Sequence, residues 1–66
     1  MSEKVKMKIT RKQFKEMLGQ FLQNPSFNAH KSSDNEYYTF VSRKGDVIIT
    51  IYKFDKSYFM EIFSSS

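Results

Sequence analysis

The sequence predicts a two-layer α+β sandwich: a mainly antiparallel sheet covered on one face by a single helix, in the order β-α-β-β-β. Three observations carry this. The N-terminus alternates polar and apolar residues with period two, the next segment carries one apolar stripe of helical period, and the second half holds three aromatic-rich runs parted by turn formers. At 66 residues the chain is read as a single small domain, residues 1–66.

Residues 4–9 alternate Lys4, Lys6 and Lys8 with Val5, Met7 and Ile9, the pattern of a half-buried strand. Lysines on the outer face of such a strand also discourage edge-to-edge pairing. A helix is predicted over 10–23. The Thr10 hydroxyl can cap the first turn while Gln13 reaches back in a capping box. Phe14, Met17, Leu18, Phe21 and Leu22 form its apolar stripe, and Pro25 disfavours helical geometry at Asn24.

Residues 24–35 are rich in turn formers and read as a long loop, anchored to the core by Phe27. Strands follow at 36–43, 46–54 and 58–63, with a polar tail at 64–66. Ser42-Arg43-Lys44-Gly45 suits a type I turn, Ser first and a left-handed Gly last. Asp55-Lys56-Ser57 makes the second turn. If that turn holds two residues, Ile51 opposes Met60 and Ile49 opposes Ile62 beneath the helix. Ile48, Tyr52, Phe54, Phe59 and Phe63 then share the opposite face with Thr50 and Glu61. The preceding strand adds either Tyr38 and Phe40 or Tyr37 and Val41 to the core, and the turn length decides which.

One helix covers one face. The aromatic face left over, with Tyr52, Phe54, Phe59 and Phe63, is larger than a soluble monomer usually exposes, so it predicts a homodimer or a different partner.

The formal net charge is +4, unevenly placed. Residues 1–31 hold seven Lys/Arg against two acids, a net of +5, and the remainder nets −1. Lys4, Lys6, Lys8, Arg11, Lys12 and Lys15 place six cations within twelve residues, a footprint suited to a phosphate backbone, with Arg43 and Lys44 as a second contact. Arg11 and Lys12 stand in the first helical turn, where the helix dipole disfavours cations and backbone amides favour anions. Tyr52 and Phe59 are candidates for stacking on bases.

No catalytic constellation is apparent, and no enzyme is expected. There is no cysteine, and the two glycines cannot build a phosphate-cradling loop. His30, Asp34 and Glu36 lack the spacing of a metal site, so neither metal nor cofactor is expected. No apolar leader or membrane span is present, which predicts a cytoplasmic protein without membrane partners. Part of the run Arg43 to Tyr52 resembles the RNA-recognition-motif signature, at Lys44, Gly45, Ile49 and Ile51. Asp46 and Ile48 stand where that family's stacking aromatics belong and its second helix has no counterpart, so no membership follows. The expected function is non-enzymatic nucleic-acid binding through the basic N-terminal strand and helix start. The alternative is a protein-interaction module, a small inhibitor or adaptor of bacterial, phage or plasmid type, that uses the aromatic face.

Overall fold

The computed structural model describes residues 2–32 and 37–65. Residues 33–36, which include Asp34 and the expected strand start at Glu36, lie outside the described residues, as do both terminal residues. The order is β1 (Ser2–Ile9), α1 (Arg11–Gln23), β2 (Phe27–Lys31), β3 (Tyr37–Ser42), β4 (Val47–Phe54) and β5 (Ser57–Ser65). The strands form one antiparallel sheet in the order β1-β5-β4-β3-β2, with α1 packed across one face. No described helix is long and apolar enough to cross a membrane.

The capping box forms as its residue types dictate. The Thr10 hydroxyl accepts from the Gln13 amide at 3.0 Å, and Gln13 Oε1 accepts from the Thr10 amide at 2.9 Å. The helix ends where Pro25 requires: Asn24 is extended, its amide donates to Phe21 O, and its side chain accepts from the Ser26 amide.

Beyond that turn the structure departs from the expected loop. Phe27–Lys31 is a strand, paired with β3 from Phe27↔Ser42 to Lys31↔Tyr38. Phe27 alone of the five is half-buried, packed edge-on against Phe21 with centroids 5.5 Å apart. This strand exists through main-chain pairing and one aromatic anchor, without an apolar face of its own. Arg43 fastens its start: the Arg43 amide donates to Ser26 O at 3.2 Å and Nε to Pro25 O at 2.9 Å.

The β3–β4 turn is the expected one, with the Gly45 amide donating to Ser42 O and Gly45 at φ 76°. The Ser42 hydroxyl donates to Asp46 Oδ1 and accepts from the Val47 amide. The β4–β5 turn holds two residues rather than three. Phe54 pairs with Ser57, and Asp55 supplies the positive φ, 59°, that tight hairpins favour. Its register brings Ile51 opposite Met60 and Ile49 opposite Ile62. The tail at 64–66 is in part strand, since Ser64 pairs with Val47 and Ser65 with Ser2.

Beneath the helix, Phe40 and Ile51 are fully buried and Ile49 nearly so, ringed by Met17, Leu18, Phe21, Tyr38, Met60 and Ile62. The pairing Phe40↔Ile49 settles the choice left open in β3: Tyr38 and Phe40 face the core, while Tyr37 and Val41 face outward. In β1, Ile9 is buried, but Val5 and Met7 remain exposed at the sheet edge beyond the helix.

Candidate nucleic-acid interface

Two surfaces collect the predicted residues. The first is the open sheet face. Cross-strand pairing sets Lys4 beside Phe63, Lys6 beside Glu61 and Lys8 beside Phe59, so the lysine row of β1 borders the aromatic residues directly. The sequence could not show this adjacency, because β1 reaches β5 only through the full chain.

Across the middle of this face Tyr37, Tyr52 and Phe59 form a ladder. Tyr37 and Tyr52 are stacked at 4.7 Å and 3°, and Tyr52 and Phe59 at 5.6 Å and 27°. A spacing near the interstrand distance with parallel planes means that the rings stand upright, faces turned to each other. Tyr52 is therefore sandwiched and only 5% exposed, although it lies on the face the helix leaves open. Both its faces are occupied, so it is not a free stacking platform. Lys6 Nζ caps the ladder, 5.2 Å from the Phe59 centroid.

Glu61 ties this layer together. Its carboxylate accepts from the Tyr52 hydroxyl at 2.8 Å and pairs with Lys4 Nζ at 2.9 Å. The Lys4 and Tyr52 hydrogen bonds hold its carboxyl below the usual range, and partial burial opposes them. Burial, then the bond to the Glu61 carboxylate, pushes the Tyr52 phenol up to about 12. A phenol raised in the folded state favours folding fully below its unfolded value of 10.0, and that contribution is lost as pH rises to about 12. Stability should thus fall between pH 10 and 12. Absorbance at 295 nm should show a late ionisation step that is missing in Tyr52→Phe.

A hollow of about 490 Å³ runs along this ladder from Lys6 and Glu61 on one side to Phe54 at the hairpin end, lined also by Tyr37, Tyr52 and Phe59. Phe54 is 69% exposed and makes no ring contact among the described residues.

The second surface is a groove where the end of β1, the start of α1 and the β4–β5 hairpin meet. Two adjoining hollows, of about 270 and 510 Å³, share Arg11, Lys53 and Tyr58. Together they gather Lys8, Arg11, Lys15, Lys53 and Lys56, and neither is lined by a carboxylate. Phe14, Leu18 and Tyr38 form the apolar wall, and Tyr58 packs on Phe14 with centroids 4.9 Å apart. Among the described residues none of the five cations has an ion-pair partner; Lys53 Nζ lies 5.9 Å from the Tyr58 ring centroid.

Lys8, Arg11 and Lys15 were predicted site residues. Lys53 and Lys56 were not, and the signal for Lys53 was present. It continues the inward phase of Val47, Ile49 and Ile51, so a cation emerges on the helix side of the sheet where the apolar run stops. Lys12 is exposed on the helix and lines neither hollow. Arg43 and Lys44 occupy the β3–β4 turn, a β4 length away, roughly 23 Å at about 3.3 Å per residue. They are not brought together with the groove, and Arg43 is engaged at Pro25. Phe63 lies toward that same far end, opposite Ile48. His30 stands on the edge strand β2, and the described residues hold no group of three His, Asp or Glu able to ligate a metal. No family model, curated protein or solved structure matches the chain.

Proposed function

We propose that this protein is a non-enzymatic nucleic-acid-binding protein that holds the phosphate backbone in the groove of Lys8, Arg11, Lys15, Lys53 and Lys56. The carrying observation is five cations from three separate elements and a turn, converging on open space without an acid among them. Like charges so placed repel one another, and the helix dipole adds to the cost at Arg11. A polyanion removes both penalties on binding. A local rule broken with little visible compensation, as at Arg11, points toward function.

Binding should be saturable and steeply salt-dependent. Five phosphate contacts imply a slope of log affinity against log salt of about −3.5 to −4.5, so affinity drops roughly a hundredfold or more between 50 and 200 mM salt. Fluorescence anisotropy of labelled oligonucleotides at those concentrations measures it. Absence of binding at low salt by the folded protein would overturn the proposal.

A second reading is favoured by the exposure of Phe54, with Tyr37 and Phe63 also exposed on the open face. It makes that face a protein interface, either with a second copy of this chain or with a different protein. Apolar contacts are not screened, so such an association would persist in high salt, where sedimentation would reveal a dimer.

A further inference from the structure

We infer that the hollow on the open face receives an unstacked nucleobase, which makes the ligand single-stranded nucleic acid; the inference rests on the groove binding phosphate. The hollow and the groove adjoin at two places. Lys8 lines the groove and pairs across β1–β5 with Phe59, a wall of the hollow. At the hairpin end, Phe54 lines the hollow while its neighbour Lys53 and its strand partner Ser57 line the groove. Lys53 projects to the helix side and Phe54 to the open face, so a strand whose phosphates lie in the groove reaches the Phe54 ring by turning round the hairpin end, past Lys56 and Ser57.

Charge assigns the two halves of a nucleotide to the two spaces. The groove is lined by cations and no acid, whereas the hollow sets the Glu61 carboxylate against Lys6 among four aromatic rings. Phosphate is favoured in the first and opposed by Glu61 in the second. A flat, uncharged, aromatic base suits the second. The state of the rings then selects the contact. Tyr52 has both faces occupied and Lys6 lies over Phe59, while Phe54 is the most exposed large apolar residue and has no ring partner among the described residues. A duplex keeps its base faces inside the stack, so only an unpaired base can lie on Phe54.

The test compares a labelled oligothymidylate with a duplex of equal length, using the full chain and Phe54→Ala. Loss of one base–aromatic stack should weaken single-strand binding roughly 5- to 150-fold, leaving duplex binding and both salt slopes unchanged. Phe54 is exposed, and circular dichroism checks that the variant folds. The chain has no tryptophan, so Phe54→Trp supplies a single reporter at the proposed contact. Its fluorescence should be quenched by oligothymidylate and not by dextran sulfate, a polyanion without bases. If wild type binds neither oligonucleotide, the groove itself fails. If wild type binds both while Phe54→Ala weakens neither, or weakens both alike, or if oligothymidylate leaves the Phe54→Trp emission unchanged, the groove stands and the base site is overturned.

Discussion

Phe40→Ala should remove roughly a third or more of the chain's stability at room temperature. Phe40 is fully exposure-free, touches Phe21 at a centroid distance of 5.1 Å, and lies between the edge strand β2 and the central strand β4. Truncating a buried Phe costs about 3–5 kcal/mol, transfer and cavity together. Domains hold about 0.05–0.15 kcal/mol per residue, which for this length is roughly 3–10 kcal/mol. Without cysteine there is no covalent brace to make up the difference. Urea denaturation followed by circular dichroism should show the midpoint moved down by an amount equivalent to about 3–5 kcal/mol. Leu22→Ala, at a helix position 56% exposed, should shift it by no more than about 0.5 kcal/mol. Comparable midpoints for the two variants would mean that the centre of this core is placed wrongly.

Arg11→Glu combined with Lys53→Glu should abolish nucleic-acid binding while the fold persists. Both side chains line both halves of the groove, so reversing them puts two carboxylates where the phosphates are proposed to lie. Removing two contacts alone should reduce the salt slope by about 1.4–1.8. Reversal adds repulsion, and affinity at 50 mM salt should fall by roughly a hundredfold or more. Lys12→Glu with Lys44→Glu, two exposed positions that line neither hollow, applies the same change in net charge outside the groove. Equal losses for the two pairs would show that net charge, and not the groove, governs binding. Glu at position 11 also suits the helix dipole, so thermal stability of the groove variant should hold or rise slightly.

Where local chemistry decides the structure, the sequence was readable. The Thr10–Gln13 box, the stop at Pro25, and the Ser42–Gly45 turn each follow from one or two residues and are found in place. The β4–β5 register was legible only conditionally: a two-residue turn sets Ile51 opposite Met60 and Ile49 opposite Ile62, and that turn length is the one found. Strand β2 was not legible. Phe27–Lys31 alternates only over Phe27 to His30, too short and too weakly apolar a run to stand out among its turn-forming neighbours, and its pairing with β3 rests on main-chain bonds and on Arg43 reaching back to Pro25. The site divides in the same way. Its cations near the N-terminus stand out as a charge run, but Lys53 and Lys56 join them only through the hairpin that returns β5 to β1. The sandwiching of Tyr52 is likewise a matter of register across three strands, invisible in any one of them.

The pairing of β1 with β5 bears on how the chain folds. Each of β2 to β5 meets its sequence neighbour through a short connection, so the four-stranded meander can assemble from near contacts. The Ser2↔Ser65 end of the β1 ladder instead closes a loop of some sixty residues, with an entropy cost that the meander's hairpins avoid. β1 also pairs with no strand but β5, and Val5 and Met7 stay largely exposed. It should therefore be the last strand to dock, and its amides should exchange with solvent well before those of β4. Because Lys8 rides on this strand and Arg11 begins the helix just beyond it, opening at this edge would dismantle the groove while most of the sheet remained intact.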